Sequence, residues 1–446
     1  MNDYIKQIDS PTIKLDPIKF ESPDNAEDTK KITKGLGFTP FLWYMGYQIR
    51  ESNISYLKLY HDGILPKVKV TFTDEYGIIE DTGFPENDTP FEIFLNSGSD
   101  SIKSIHIKFK IEDFKNVTKV SGSKRYTMYG TLDLTDLYIN QYKAFRKKTS
   151  FSTIRDICKK MGLGFNSNIS DTKDSMTWLQ RGDNIDFIRN IIKRSYISDE
   201  SYLIGYIDYY YCFNYLDIEK ELSRDISNDV NIDSSGVNSV DSNDVKEKTK
   251  LSLTNDKGVG NSNLFIESYK ILNSSMYSAI NNGFFIKTRY YDSLNKAHLL
   301  FNIDSITDKD DGKIIVLKGK QNDKDYYDRN VSNNWMGKID TDNVHKNYSY
   351  SFIQNKINLD NITNISMDIS LPNLNWSIYK FQKVNINMTP LSSTPVKDKI
   401  IWKLSGDWLI TSIDYIWRKG SMKQEANVVR RNLGKNPNGG PPINNI

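Results

Sequence analysis

The sequence predicts an α+β fold that is mostly β, with its helices concentrated between Ser150 and Tyr196. Two observations lead to this prediction. Apolar and polar residues alternate strictly over several short segments, as they do in antiparallel strands with one buried face. Between residues 149 and 222 the apolar residues instead recur with the spacing of amphipathic helices, and two short strand-like runs follow.

The first predicted sheet begins in "LPKVKVTFTDEYG", where Val68, Val70 and Phe72 point to one face. In "SIHIKFKIEDF" every second residue is apolar, and His106 lies among the polar residues between them, where solvent is the expected neighbour. The segment "KRYTMYGTLDL" is expected to continue the sheet.

The first predicted helix lies in "TSFSTIRDICKKMGL". Thr149 or Ser150 can cap its N-terminus, and Gly162 is the natural residue at which it ends. One face of this helix is apolar and contains Phe151, Ile154, Ile157 and Met161.

The second predicted helix starts at Asp183, whose carboxylate can accept a hydrogen bond from the Asp186 amide. Its expected buried stripe comprises Ile185, Ile188, Ile191 or Ile192, and Tyr196. The segment "YLIGYIDYYYCFNYLDI" then predicts two short strands, so the inserted unit is a helix–helix–hairpin.

Residues 223–263 are rich in Ser, Asn, Asp and Gly, and predict a flexible polar loop. Further strands are predicted in "GFFIKTRYYD", "ISMDISL", "KVNINM" and "WLITSIDYIW". In the last of these, one face should hold Leu409, Thr411, Ile413, Tyr415 and Trp417. A turn at Lys419-Gly420 should lead to a returning strand in "SMKQEANVVRR".

Composition narrows the classes of function. The 446 residues carry 59 basic and 56 acidic side chains, and a net charge of +3 points to no global affinity for nucleic acid. The two cysteines, Cys158 and Cys212, exclude a disulfide framework and favour assembly in a reducing compartment. We see no secretory leader and no apolar run long enough to span a membrane.

Catalytic patterns are missing from the sequence. None of the four histidines (His61, His106, His298 and His345) has the spacing of a known catalytic or metal-binding motif. Both cysteines lie in apolar patterns and are expected to be small buried hydrophobes. The segment "KGVGNSN" lacks the third glycine and the preceding strand of a phosphate-binding loop.

Three further signals have a structural interpretation that is stronger than the functional one. "TDKDDGK" resembles a calcium loop, but Thr307 holds its first ligand position and Asp311-Gly312 suits a hairpin turn. The 56 acidic residues allow many carboxylate pairs, so the presence of such a pair says almost nothing about glycosidase activity. Trp178, Trp335 and Trp408 could stack on sugars or bases, but aromatic residues at strand spacing more often belong to a core or a protein interface.

Six segments together resemble the baseplate hub protein of contractile-tailed bacteriophages, in the T-even-like and marine branch. They occur in one order over most of residues 35–435: "FTPFLWYMGYQI" through "LPKVKVTFTDEYG" to "FPEN", "YTMYGTLDLTDLYINQYKAFRKKTSFSTIRDICKKMGLGF", "MTWLQRGDNIDFIRNI", "RYYDSLNKAHLLFNID", "NWMGKIDTDNVHKNYSYSFIQN", and "LSGDWLITSIDYIW" with "QEANVVRRNLG". None is a catalytic signature.

The resemblance implies two tube-like antiparallel β-barrel domains, built from Phe38–Lys147 and from parts of Asn281–Gly434. It also implies a homotrimeric ring, in which three subunits mimic the six-fold tail tube and adapt it to a three-fold spike. The expected organisation is 1–34 N-terminal arm, 35–147 first tube-like domain, 148–222 inserted adaptor unit, 223–263 flexible polar loop, 264–345 β-rich connecting region, 346–435 second tube-like domain and 436–446 flexible tail.

The expected function is therefore that of a structural baseplate hub in the virion tail, assembled in the host cytoplasm and forming part of the DNA channel. The expected partners are the tail tube protein, the central spike protein and baseplate wedge proteins, with genomic DNA only in transit and no stable membrane insertion. We expect no enzymatic activity, cofactor, metal or catalytic residue, and the sequence assigns no interface residues. The alternatives are a tail-associated cell-wall hydrolase and a carbohydrate-binding tail module.

Overall fold

A computed structural model gives the structure of the chain. It describes residues 5–16, 40–83, 85–86, 88–95, 104–118, 124–224, 231–233, 264–273, 285–292, 297–307, 314–317, 336–337, 345, 347–371, 378–388, 403–418 and 421–431. The predicted loop Asp311-Gly312, the turn Lys419-Gly420 and the tail 436–446 lie outside the described residues, as does "KGVGNSN".

The N-terminal region forms an antiparallel sheet, as its alternating sequence predicts. Its elements are β1 (Lys6–Asp9), β2 (Pro40–Tyr44), β3 (Tyr47–Ile49), β4 (Ile54–Asp62), β5 (Leu65–Asp74), the short helix α1 (Ile78–Asp81), β6 (Pro90–Leu95), β7 (Ile105–Thr118) and β8 (Lys124–Leu132). Strands β2 to β8 pair in the order β4-β5-β8-β7-β6-β2-β3. Val68, Val70 and Phe72 are fully buried on its apolar face, as expected from their spacing.

The inserted unit follows. It contains β9 (Gln141–Lys148), α2 (Ser150–Lys160), β10 (Gly164–Ser167), β11 (Met176–Gly182), α3 (Asn184–Arg194), β12 (Leu203–Ile207), β13 (Cys212–Asp217) and the short helix α4 (Ile218–Leu222). Strands β9 and β11 form a separate two-stranded ribbon. Strands β12 and β13 form the predicted hairpin, and β13 also pairs in parallel with β10.

The caps of both helices are confirmed. Thr149 accepts a hydrogen bond from the Ser152 amide at the start of α2, and Asp183 accepts one from the Asp186 amide, 2.8 Å away. Gly162 follows α2 with φ +76°, the left-handed conformation that favours glycine after a helix. Ile188 and Ile191 are fully buried in α3, but the helix ends at Arg194, so Tyr196 lies beyond it.

The described part of the predicted N-terminal arm, residues 5–16, joins the inserted unit. Strand β1 pairs antiparallel with β10, which gives a sheet of order β1-β10-β13-β12. Arg155 on α2 donates two hydrogen bonds to the Asp9 carboxylate, with lengths of 2.5 and 2.9 Å. The prediction of an extended arm did not include this pairing, because a four-residue strand has no recognisable period.

The C-terminal region adds β14 (Asn231–Asp233), β15 (Leu264–Phe265), β16 (Ser268–Asn273), β17 (Phe285–Asp292), β18 (Ala297–Thr307), β19 (Ile314–Leu317), β20 (Met336–Gly337), α5 (Tyr348–Ile362), β21 (Ile365–Leu371), β22 (Lys383–Asn387), β23 (Gly406–Arg418) and β24 (Ser421–Arg430). Strands β17 to β20 form their own sheet, and β24 returns antiparallel to β23 as predicted. Strand β14 lies inside the predicted polar loop and pairs with β22, so that segment is not wholly loop.

Two predictions in this region are wrong. Helix α5 was not expected, because its sequence "YSYSFIQNKINLDNI" has no apolar stripe. The single-face alternation in β23 was also wrong: a register shift between Ile410 and Ser412 marks a β-bulge, which changes the phase of the strand. Trp408 and Ile410 therefore share the main core with Ile413, whereas Leu409 packs on the other side, with residues that include Tyr202 and Ile218.

One continuous sheet joins the first and last regions. The C-terminal end of β23 pairs with β4, from Tyr415 opposite Leu59 to Arg418 opposite Tyr56. Its N-terminal end pairs with β22, and β24 lies along its other edge. The predicted fold class, mostly β with antiparallel sheets, is confirmed, and β23 is the strand through which the two β regions become one hydrogen-bonded network.

Candidate assembly surfaces

His61 forms a structural hydrogen bond. Its Nε2 lies 2.9 Å from the carbonyl oxygen of Ile207 in the β12–β13 hairpin. Its ring packs edge-on against Tyr206 and beside Tyr209. Burial, with a smaller contribution from the nearby Lys380 ammonium, lowers the pKa of His61 to about 3. The ring is thus neutral at physiological pH, and it binds the first sheet to the inserted unit.

The other described histidines also have structural partners. His106 lies 2.8 Å from a carboxylate oxygen of Glu92 on the neighbouring strand, a pairing that the prediction of solvent as its neighbour did not include. His345 contacts the Arg194 carbonyl oxygen at 3.2 Å, and burial lowers its pKa. Ser351 donates to the same carbonyl, which places both side chains at the C-terminus of α3. The side chain of His298 lies outside the described residues.

The cysteines and tryptophans behave as core residues, as predicted. Cys158 and Cys212 are buried and are not joined in a disulfide, and burial raises the pKa of the Cys158 thiol well above its usual value. Trp178 is buried and donates its indole N–H to the Lys148 carbonyl at 2.9 Å, while Trp408 donates to the Leu404 carbonyl. Neither ring offers a face to a sugar or a base. Trp335 lies outside the described residues.

A cavity of about 390 Å³ lies over the polar face of strands β16, β21, β23 and β24. Two of its three lining carboxylates have close partners: Asp414 pairs with Lys58 at 2.7 Å, and Asp368 accepts a hydrogen bond from Asn427 at 2.7 Å. The third, Glu425, lies opposite Asp414 in the β23–β24 ladder. The cavity is a charged depression between strands.

Among the described residues, the carboxylate whose pKa is shifted most belongs to a helix cap. Burial raises the pKa of Asp217 to about 6, although its hydrogen bonds, including one from the Glu219 amide, act in the opposite direction. Asp217 caps α4 and is enclosed by the inserted unit, away from the cavity. Its raised pKa reflects its position in the fold.

Metal-binding clusters and membrane-spanning helices are both missing from the described ranges. The described residues contain no group of three or more His, Cys, Asp or Glu side chains arranged to hold a metal ion. Of the possible calcium loop, only Thr307 is described. Within the described part of the chain, none of the helices has the length and apolar character needed to cross a membrane.

Hydrogen bonds at one junction connect three regions of the chain. The Ile207 amide donates to the Ile64 carbonyl at 2.8 Å, next to the His61 contact with the same residue. The Lys380 ammonium donates to the Gly63 carbonyl, and the Tyr206 hydroxyl donates to the Lys380 carbonyl. Burial lowers the pKa of Lys380 to about 8. The first sheet, the hairpin and the C-terminal region therefore meet in one packed contact.

Helix α5 strengthens this arrangement from the other side of the inserted unit. Its polar side chains satisfy the carbonyl groups that follow α3: Gln354 donates to Ser198, and Asn355 donates to Ser195. The Arg194 guanidinium lies 4.2 Å from the centre of the Tyr348 ring. The inserted unit is thus held by the large sheet on one side and by α5 on the other, and its remaining exposed surface is available for contact with other molecules.

Open strand edges offer further surface for contact. Strand β3 ends one branch of the large sheet and β16 ends another, and neither pairs with a further strand within the described residues. The β9–β11 ribbon likewise pairs with no third strand in the part of the chain described. Open edges present unpaired backbone N–H and C=O groups, which another chain can pair with. The arrangement is suited to protein–protein contact.

No family model matches the sequence, and no curated protein matches it. Solved structures do share its fold. The chain has a TM-score of 0.50 and 8% identity with the 43 kDa tail protein of prophage MuSo2 from Shewanella oneidensis, over 89% of this chain and 99% of that one. A tail protein from Neisseria meningitidis MC58 gives 0.48 and 8% identity over 88% and 97%. The first likeness shows that the chain has the fold of a prophage tail protein.

Proposed function

We propose that the protein is a structural hub of a contractile tail baseplate. The observation that carries this proposal is the likeness in fold to the prophage MuSo2 tail protein, which extends over 89% of this chain and 99% of the other. A match over nearly the whole of both chains is more extensive than any one of the sheets. The sequence resemblance to baseplate hubs, which rests on six ordered segments, points to the same role.

A non-enzymatic role fits the chemistry of the described residues. His61 and His345 contact backbone carbonyls, the two cysteines are buried, and Asp414 is paired with Lys58. Acyl or glycosyl transfer needs an activated nucleophile or a carboxylate pair open to substrate. Groups of that kind are instead used here to hold the fold together.

In the proposed assembly, three copies form a ring that adapts a six-fold tail tube to a three-fold spike. Two β regions joined through β23 give each subunit two sheet surfaces, so three subunits present six. Open edges such as β3 and β16 are an aggregation hazard in an isolated subunit, and closed rotational symmetry covers all of them at once. The net charge of +3 allows rings to stack with little repulsion.

The tube protein would bind one face of this ring and the spike the other, with wedge proteins at the periphery and DNA passing through the centre. The virion baseplate is then the expected location. Obligate rings of this type bury on the order of 2,000 Å² or more per contact, so the subunits should not separate on dilution.

Native mass spectrometry of the purified chain tests the proposal. We expect a complex of three times the 51.5 kDa chain mass that persists on dilution, and ring-shaped particles in the electron microscope. Addition of the tube and spike proteins from the same tail should give a ternary complex. A stable monomer that binds neither would contradict the hub function, and digestion of purified peptidoglycan would support the hydrolase alternative instead.

A further inference from the structure

The β9–β11 ribbon has one buried face. Phe145 stacks on Phe187 of α3 with ring centres 5.7 Å apart, and the Trp178 indole N–H donates a hydrogen bond to the Lys148 carbonyl. Met176 and Gln180 are buried beside them. This face fixes the ribbon on the helices of the inserted unit, so the opposite face is a rigid surface.

The outer face is apolar at its centre. Tyr142 is 85% exposed and Leu179 is 52% exposed, and Ala144 lies directly opposite Leu179 in the ladder. Tyr138 and Ile139, just before β9 in the chain, are also exposed. A group of exposed large side chains on a rigid strand pair is unusual for a surface that faces only solvent.

The same ribbon is strongly basic. Its two strands, Gln141–Lys148 and Met176–Gly182, contain five basic residues and no acidic residue, although the whole chain has a net charge of only +3. Lys148 pairs with Asp156 of α2. The charged residues Arg146, Lys147 and Arg181 are exposed and have no ion-pair partner within the described part of the chain.

A β-bulge adds to this outward positive charge. Trp178 pairs with Phe145 and Met176 pairs with Lys148, so Arg146 and Lys147 together lie opposite Thr177. Lys147 has φ +50°, a left-handed conformation that costs a lysine free energy. As a result two consecutive basic side chains, Arg146 and Lys147, both face solvent, whereas a regular strand would turn one of them inward.

A pair of like charges lies at the side of the ribbon. The Lys143 and Lys160 ammonium groups both lie over the Phe145 ring, 5.0 and 6.0 Å from its centre. The proximity of Lys160 lowers the pKa of Lys143. Two adjacent ammonium groups repel each other, and an anionic group from another molecule would relieve that repulsion.

We propose that the β9–β11 ribbon is the docking surface for an acidic, strand-forming segment of a partner protein. The segment adds to an open edge of the ribbon by main-chain hydrogen bonds, with apolar side chains on Tyr142 and Leu179 and carboxylates against Arg146, Lys147 and Arg181. The open backbone edge and the aliphatic side chain of Leu179 favour a polypeptide over a nucleic acid, which would use neither.

This inference goes beyond the hub function, because it assigns a surface and a partner chemistry independently of ring formation. A second copy using the same basic patch would bring like charges together, so the patch favours a different protein. Ring formation is measured by the mass of the protein alone, whereas docking is measured by the binding of an added peptide, so each can fail without the other.

The test measures fluorescence anisotropy of a labelled peptide of alternating Glu and Val residues added to the full-length protein. We expect binding that weakens as salt is raised. The variant Arg146→Gln/Lys147→Gly/Arg181→Gln should bind about tenfold more weakly. The variant Tyr142→Ser/Leu179→Ser should also bind more weakly but keep the salt dependence.

A matched control removes the same three charges elsewhere. Lys193, Lys356 and Lys403 are exposed and lie outside the ribbon, and their combined replacement by Gln should leave binding unchanged. Equal loss in both triple variants, or no binding of the acidic peptide by the wild type, would overturn the proposal. So would tighter binding of a DNA duplex than of the peptide, or dissociation of the protein's own oligomer in the ribbon variant alone.

Discussion

The first sheet and the inserted unit bury their interiors by different means. In the sheet, strands such as β2 and β6 bury every second side chain, and the core is almost wholly apolar. The inserted unit buries many polar groups beside its apolar helix faces: Ser150, Asn166, Asn168, Thr172, Asp174, Asn214 and Asp217. The alternation of apolar and polar residues specifies which face of a strand is buried. A buried polar side chain specifies more, because it needs one particular hydrogen-bond partner beside it.

Asp174 illustrates the second strategy. Its carboxylate accepts hydrogen bonds from the Ser150 amide at 2.8 Å, the Thr172 hydroxyl at 2.6 Å and the Tyr196 amide at 2.9 Å. One side chain thus fixes the start of α2 relative to the segment after α3. The sheet has fewer such groups, so the inserted unit should be the more fragile of the two when a single polar group is lost.

The largest expected effect comes from Ile188→Asp, which places an unpaired carboxylate at a fully buried position of α3. We expect a loss of about 4 kcal/mol or more in the free energy of unfolding, and failure of the inserted unit to fold. Asn190→Asp, at an exposed position of the same helix, should change stability little. Denaturant unfolding measures both, and a stable, assembly-competent Ile188→Asp protein would show that the buried face is wrongly assigned.

A smaller effect is expected from Asp174→Ala, which leaves one buried and one partly buried backbone amide without their acceptor. The loss should be about 3 kcal/mol, and it should be local. Hydrogen exchange should accelerate in residues 150–222 and stay slow in β4 and β5. Lys173→Ala, one residue away and exposed, is the control. Equal acceleration in both regions would show that they unfold as one unit, so the inserted unit would not be the more fragile of the two.

The smallest effect concerns pH. Burial raises the pKa of Asp217 to about 6, so the folded protein holds this proton more tightly than the unfolded chain, whose ordinary value is 3.8. The resulting stabilisation is fully present below about pH 4 and is lost as the pH rises through 6.

Asp217→Asn keeps a capping oxygen but cannot ionise. Relative to the wild type, its free energy of unfolding should therefore increase by about 2 kcal/mol between pH 4 and 7. Asp183→Asn, at the more exposed cap of α3, is the matched control. Unfolding measured at both pH values tests this, and a difference between wild type and variant that does not change with pH would exclude burial of an ionisable Asp217.

Much of the local structure follows from the sequence. Alternation locates β5, β7, β21 and β22, and the caps at Thr149 and Asp183 locate the starts of α2 and α3, because these signals depend on neighbours a few residues apart. The interpretation of Trp178 and Trp408 as core residues also follows from local spacing. The exposed basic run Arg146–Lys148 was visible in the sequence, but an exposed run by itself indicates only a solvated face.

Which elements contact each other becomes visible only in the folded structure. Strand β1 joins β10 across more than a hundred residues, β23 pairs with β4, and α5 supplies hydrogen bonds to the end of α3. The bulge in β23 puts Ile410 and Ile413 in the same core, and the bulge in β9 turns Arg146 and Lys147 outward together. Periodicity fixes the face of an element, but partner and register depend on contacts between residues far apart in the chain, which leave no local pattern.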